Sequence, residues 1–104
     1  MYRSNLRLRA APGRRDDVVA LLTGEHGARD AIRYGSATAV EVLVGEPDEI
    51  IVSALWESRR DYQDWQSRQD RSASRNRLAA LLSDEPVRFV HRVLLSARQE
   101  VESR

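Results

Sequence analysis

The chain has 104 residues, a length that fits one domain. Its basic residues are all arginine, seventeen in number, and sixteen acidic residues reduce the net charge to +1. Nucleic-acid-binding domains usually carry a clear basic excess, so this balance argues against that class. The chain has no cysteine, which excludes a disulfide framework and a thiolate metal site. The first residues lack the apolar run of a signal peptide and no segment has the length to cross a membrane, so we expect a soluble cytoplasmic protein.

The first third of the chain reads as a strand followed by a helix. In residues 2–10, "YRSNLRLRA", small and apolar residues alternate with arginine and asparagine, which is typical of a strand with one solvent-exposed face. After the turn "APG", apolar residues at helical spacing between Val18 and Leu22 predict a helix that ends near Gly24. The segment 28–34, "ARDAIRY", is compatible with a further helical turn or with a direct approach to the next strand.

The rest of the chain predicts a hairpin, a broken helical region and a last strand. Residues 36–45 and 50–57 are rich in β-branched residues and flank the turn "EPDE", which predicts two paired strands. Ser58 is a candidate N-cap for a helix that ends near residue 70. A segment rich in serine and arginine then precedes another apolar helical stripe, and residues 85–97 alternate as a strand.

The element order β-α-β-β-α-β predicts an α+β, ferredoxin-like fold, with helices on one face of a four-stranded antiparallel sheet. The strand at 50–57 is apolar on both faces, which predicts that the uncovered face of the sheet meets another sheet. We therefore expect a homodimer that forms a dimeric α+β barrel. The expected domain spans 1–97, and 98–104 form a polar C-terminal tail.

Three of the six aromatic residues, Trp56, Tyr62 and Trp65, fall within ten positions. Residues three apart on a helix are neighbours, and Trp56 ends the strand that leads into that helix. The three rings are therefore expected to line one cavity between sheet and helices, a usual setting for a small-molecule site. The alternative is that they are ordinary core residues.

The chain resembles the antibiotic-biosynthesis-monooxygenase-like dimeric α+β barrels over nearly its whole length. The likeness is carried by "PGRRDDVVALL" after the first strand and by "IIVSALWESRRDYQDW", where W-E-S precedes an aromatic helix. In the cofactor-independent, quinone-forming members, the Trp of that motif and a Tyr six residues later are functional, and Trp56 and Tyr62 match them. Those enzymes also use an Asn four positions before the Trp, where this chain has Val52.

Haem-degrading members of the family provide a second comparison. Their functional residues are a first-strand Asn, a helix Trp and a His that ligates iron. Trp65 matches the Trp, but Leu6 instead of Asn5 stands at the family's Asn position, and Ser74 and Arg75 stand where the His is expected. The resemblance therefore disfavours haem degradation.

Other candidate groups are few. His91 lies on an otherwise apolar strand face, where it would be a core residue or, beside a cavity, a general base near neutral pH. Arg75 is a candidate ligand for a carboxylate or phenolate, with an exposed helix position as the alternative. His26 is expected in a loop, and no metal-ligand spacing or phosphate-binding motif is present. RNA-recognition domains share the element order, but their glycine-aromatic motif is absent here.

We therefore predict a cofactor-independent monooxygenase that oxidises a planar polyphenolic or anthrone-like substrate with O₂ and needs no metal or other cofactor. The alternatives are a polyketide cyclase or isomerase on the same fold, and a non-catalytic small-molecule-binding dimeric domain. No nucleic-acid or membrane partner is expected. The predicted catalytic residues are Trp56, Tyr62 and His91, and the predicted substrate-binding residues are Val52, Trp65 and Arg75.

Overall fold

The computed structural model describes residues 1–70 and 73–99 and confirms the ferredoxin-like order of elements. No helix within these ranges is long and apolar enough to cross a membrane. The strands are β1 (Tyr2–Arg9), β2 (Ala37–Gly45), β3 (Glu49–Trp56) and β4 (Val87–Arg92), and the helices are α1 (Arg15–Thr23), α2 (Asp30–Arg33), α3 (Arg59–Gln69) and α4 (Ala73–Ala79).

The four strands form one antiparallel sheet in the order β2-β3-β1-β4, so β1 and β3 are central. The predicted hairpin is β2–β3. Segment 28–34, which the sequence left open, contains the short helix α2.

The last strand is shorter than the predicted 85–97. It ends at Arg92 because its partner β1 starts at Tyr2, and the last backbone bond here runs from the Val93 N–H to the Met1 carbonyl at 2.9 Å. The predicted tail begins at residue 98, and its residues 100–104 lie outside the described ranges, so the domain boundary stays a prediction.

Strand pairing assigns every side chain to one of two faces. Paired residues share a face, so the pairs Leu6–Val52 and Leu6–Arg88 place these three residues together. We call the face that packs on the helices the covered face; it includes Ser4, Leu6, Leu8, Val40, Val42, Ile50, Val52, Ala54, Trp56, Arg88 and Val90. We call the other the open face; it includes Arg3, Asn5, Arg7, Leu43, Ile51, Ser53, Leu55, Val87, Phe89 and His91.

Two buried clusters hold the helices on the covered face. In the first, Val18 and Leu22 of α1 pack on Leu8 and Ile50. In the second, Trp56 packs with small alanine residues of α2, β2 and β3, and with partly buried aromatic residues of α3. The separation of these clusters leaves space between the sheet and the helices.

The ends of two helices follow from local chemistry. The Ser58 side chain accepts a hydrogen bond from the Asp61 N–H at 3.1 Å, which confirms the predicted N-cap of α3. Helix α1 ends at Thr23, and the chain then turns so tightly that the Ala28 N–H donates to the Leu22 carbonyl at 2.7 Å. A Cβ at Gly27 would overlap the Leu22 carbonyl oxygen, so this turn requires glycine.

Candidate functional site

A cavity of about 480 Å³ lies between the covered face of the sheet and the helices. This volume is within the range of small-molecule sites in proteins. Its apolar floor comes from β1 and β3, and it is also lined by α3, α4, the turn after α1 and the segment before β4. The residues used below are Ser4, Leu6, His26, Val52, Ala54, Trp56, Tyr62, Trp65, Gln66, Arg75 and Arg88.

Trp56 lines the cavity and is held by contacts on two sides. Its side chain is only 1% exposed, and its Nε1–H donates to the Ser4 hydroxyl oxygen at 2.9 Å. The edge of its ring meets Tyr62, with ring centroids 5.9 Å apart and planes at 65°. This T-shaped contact is a favourable aromatic geometry, so a hydrogen bond and a ring contact together hold the indole.

Trp65 lies three residues beyond Tyr62 on α3 and borders the same cavity. Its ring packs close to Gly35, where an added Cβ would come within 3.0 Å of Trp65 Cε3. The Arg68 guanidinium lies 5.4 Å from the ring centroid, which is within cation–π range. The structure thus brings the three predicted aromatic residues to one cavity.

A chain of polar side chains runs along the cavity from Tyr62 to β4; we call it the polar chain. The Tyr62 hydroxyl donates to Gln66 Oε1 at 3.2 Å, and Gln66 Nε2 donates to Asp70 Oδ1 at 3.2 Å. The same carboxylate oxygen lies 3.4 Å from Arg75 Nη1 and 3.4 Å from Arg88 Nη2. Positions 62, 66 and 70 are four apart, so α3 places them on one face. The polar chain therefore connects the aromatic end of the cavity to two guanidinium groups.

Burial raises the pKa of the Tyr62 hydroxyl above its ordinary value. The nearby Arg88 charge lowers this pKa and the Asp70 charge raises it, both less than burial does. Tyr62 is therefore a neutral phenol near neutral pH, a state in which it can donate a hydrogen bond to a ligand oxygen.

This pKa predicts a specific alkaline titration. Subtracting the pH-dependent near-ultraviolet absorbance of a Tyr62→Phe variant from that of the wild type should leave one phenol that ionises above the ordinary tyrosine pKa of about 10. Because the folded-state pKa is the higher one, the Tyr62 contribution to stability is present below pH 10 and falls as pH rises through the folded pKa. A difference titration centred at or below the ordinary value would contradict this prediction.

The predicted site residues fall in two groups. Val52 lies on the cavity floor beside Leu6, and Arg75 borders the cavity from α4. His91, in contrast, pairs with Arg3 on the open face, where its ring stacks on that of Phe89 with the ring centroids 6.4 Å apart. The prediction that His91 could border the cavity is wrong because the apolar set of β4 faces away from the helices. His91 is therefore no longer a candidate base for a ligand in this cavity.

Several residues of the site were missed in the sequence. Gln66 was detectable, because it lies four residues after Tyr62 on the same helix face. Arg88 was detectable in principle from strand parity once β4 was aligned with β1, since it pairs with Leu6. Ser4 was assigned to the correct strand face but not recognised as a partner of Trp56. His26 lies in the loop after α1, as predicted, and also borders the cavity.

No cluster of three or more histidine and acidic side chains that could hold a metal ion occurs within residues 1–70 and 73–99. The cavity instead offers aromatic surfaces, hydroxyl and amide groups and two guanidinium groups. These groups can stack a planar ligand and bind its oxygen atoms.

Solved structures share this fold across nearly the full length of both chains. A monooxygenase from the ActVA-Orf6 gene of Streptomyces coelicolor, in complex with nanaomycin D, is 20% identical with a TM-score of 0.75, covering 95% of this chain and 92% of its own. A candidate antibiotic biosynthesis monooxygenase from Deinococcus radiodurans is 14% identical with a TM-score of 0.78, covering 96% and 99%. Rv0793 from Mycobacterium tuberculosis is 16% identical with a TM-score of 0.72, covering 93% and 98%. No protein-family model and no curated protein matches the chain.

Proposed function

Because the chain has the fold of structures named as antibiotic biosynthesis monooxygenases, we propose that it is a cofactor-independent monooxygenase. Its proposed substrate is a planar polyphenolic or anthrone-like molecule, as in aromatic polyketides, and its proposed oxidant is O₂. The observation that carries this proposal is the aromatic cavity in which a protonated Tyr62 continues into a polar chain with two guanidinium groups.

Each proposed residue has a role that suits such a substrate. Trp56 and Trp65 supply flat surfaces for a fused ring system, and Val52 supplies an apolar contact from the floor. Tyr62 donates a hydrogen bond to the oxygen that carries negative charge in the substrate enolate. Arg75, through its positive charge, favours the same anionic form of the substrate.

The proposed reaction needs no external reductant. The reduced ring carbon, a CH₂ group beside the aromatic rings, loses a proton to water and forms an enolate. This carbon then forms a bond to O₂, and protonation of the resulting peroxide followed by loss of water leaves a carbonyl group. One CH₂ group and one O₂ become one C=O group and one H₂O, so the four electrons lost by carbon reduce O₂. The protein contributes orientation of the substrate and stabilisation of the enolate.

The proposal is tested by O₂ uptake with dithranol as a generic anthrone, in the presence of a chelator. We expect O₂ uptake faster than the spontaneous rate, with one O₂ consumed per anthrone. The enzyme-dependent rate in Tyr62→Phe should be at least about tenfold lower, because the variant loses a hydrogen-bond donor to a charged substrate oxygen. Tyr34→Phe is the matched control: Tyr34 is 57% exposed and does not border the cavity.

Uptake equal to the spontaneous rate for dithranol and related anthrones would refute the oxygenase proposal. Equal rates in wild type and Tyr62→Phe would remove the role of Tyr62 while leaving the reaction in place.

One observation favours a second candidate function. Val52 supplies only an apolar surface at the centre of the floor, and His91 is on the other face of the sheet. A cavity with this lining also suits a polyketide cyclase or isomerase, or a non-catalytic binding domain. Product formation without O₂ uptake would indicate the cyclase or isomerase, and saturable binding without turnover would indicate the binding domain.

We also propose that the open face pairs with a second copy of the chain, as in a dimeric α+β barrel, and that the protein acts in the cytoplasm. Exposed apolar side chains on this face support the pairing: Leu43 is 46% exposed and Phe89 is 40% exposed. Sedimentation velocity tests it, since a species of twice the chain mass is expected.

A further inference from the structure

Arg88 is a charged residue on the covered face of the sheet. It pairs with Leu6 across β1, and its side chain is only 34% exposed. About a third of this side chain thus stays in contact with solvent, and the rest packs against the sheet and its neighbours. The structure places this group at the border of the cavity, at the opposite end of the polar chain from Tyr62.

The partner of Arg88 is shared with a second arginine. Asp70 Oδ1 lies 3.4 Å from Arg88 Nη2 and at the same distance from Arg75 Nη1. One carboxylate thus faces two guanidinium groups, so the three side chains together carry a net charge of +1. The positive charge of Arg88 acts on the cavity lining, since it lowers the pKa of Tyr62 whereas burial raises it.

Two acidic residues also border the cavity, on the segment before β4. Asp84 and Glu85 are both exposed, and Asp84 lies 3.8 Å from the Arg9 guanidinium. Both also line a separate small surface pocket of about 90 Å³ beside Arg9. The Asp84 charge is therefore partly balanced by Arg9, whereas Arg88 lies on the covered face of the sheet and is paired with Asp70.

We propose that the cavity selects aromatic ligands that carry a carboxylate, and that Arg88 binds this group. A guanidinium has five N–H donors in a planar fork, and the Asp70 contact engages Nη2. A carboxylate has two oxygen atoms that can accept two parallel N–H···O bonds from such a fork. A neutral phenol has only one oxygen atom and no negative charge, so it suits the fork less well. The inference rests on the proposed function only in taking this cavity as the substrate site; it adds the acidic substituent and the residue that recognises it.

The test compares two ligands of similar shape, anthraquinone-2-carboxylate, which is anionic, and its primary amide, which is neutral and replaces one acceptor oxygen by an NH₂ group. Both tryptophans of the chain border the cavity, so quenching of their fluorescence reports binding, and calorimetry gives an independent affinity. We expect the wild type to bind the carboxylate about tenfold more tightly than the amide, because a hydrogen bond to a charged partner contributes roughly that factor. The preference should decrease as salt is added.

Variants assign the preference to a residue. In Arg88→Gln the affinities for the two ligands should differ by no more than about twofold, mainly because the affinity for the carboxylate ligand falls. Arg92→Gln, the same change on the same strand but outside the cavity lining, should keep the preference. Thermal unfolding followed by circular dichroism checks that each variant is folded.

Several results would overturn the inference: no binding of either ligand, equal affinities of the wild type for the two ligands, or an equal loss of affinity for both ligands in Arg88→Gln. Loss of the preference in Arg75→Gln with its retention in Arg88→Gln would also overturn the assignment. Since the anthraquinone ring is already oxidised, this result does not depend on turnover. A carboxylate preference without O₂ uptake would refute the proposed oxygenase and leave the binding inference standing.

Discussion

Replacement of Trp56 by alanine should lower the free energy of unfolding by about 3–5 kcal/mol, the range for large aromatic-to-alanine changes in a core. Trp56 is the largest of the fully buried side chains, and it joins the end of β3 to β1 and α3. Its loss would leave a cavity beside Ser4 and Tyr62. It would also remove the hydrogen bond that the buried Ser4 hydroxyl oxygen accepts from the indole N–H. Urea denaturation followed by circular dichroism measures the change.

Trp56→Phe separates packing from hydrogen bonding. It keeps an aromatic ring near Tyr62 but removes the Nε1–H, so we expect a smaller loss, about 1–3 kcal/mol. An alanine variant as stable as the wild type would show that Trp56 is not a structural wall. Because the alanine variant is expected to be so much less stable, a loss of O₂ uptake in it would not separate catalysis from folding. Tyr62→Phe is the better functional variant for this reason.

Gly27→Ala should lower the free energy of unfolding by about 3 kcal/mol, near the upper end for forced overpacking. The added methyl group would overlap the backbone of Leu22 at the end of α1 rather than a flexible side chain. Relief requires the turn to open, which would lengthen the Ala28–Leu22 backbone hydrogen bond. His26 and Ala31, on either side of this turn, border the cavity, so ligand affinity should fall together with stability.

The matched control is Gly45→Ala at the end of β2. There the nearest atom to an added Cβ is the Glu49 carboxylate oxygen at 3.3 Å, which belongs to a flexible side chain. We expect a change of less than about 1 kcal/mol for this variant, since no backbone has to move. Equal effects of the two substitutions in urea denaturation would show that the turn after α1 is not tightly constrained.

The three aromatic residues that cluster within ten positions of the sequence all border the cavity. Trp56, Tyr62 and Trp65 were detectable because they lie on one strand end and one helix face, where spacing along the chain determines distance in space. The polar chain extends this site by two further four-residue steps along α3. These steps are local, so Gln66 and Asp70 follow from the sequence once Tyr62 is accepted as a site residue.

His91 shows where local pattern was insufficient. Alternation in β4 separates Val87, Phe89 and His91 from Arg88 and Val90, but does not say which set faces the helices. The sequence predicts His91 as a core residue or a neighbour of the cavity, whereas pairing with β1 places Arg88 on the covered face instead. In this fold the open face also carries apolar residues, so hydrophobicity alone does not identify the covered face.

The sequence by itself determined the β-α-β-β-α-β order, without the short helix α2, together with the β2–β3 hairpin, the Ser58 cap and the set of aromatic residues. Each of these depends on periodicity or on contacts between near neighbours. Tertiary structure alone decided that Trp56 meets Ser4, that His91 lies outside the cavity and that Arg88 lies at its border. Ser4 and Trp56 are 52 positions apart, and Arg88 and Asp70 are 18 apart. Such contacts arise from the register between strands and from the packing of helices on the sheet, which no local pattern encodes.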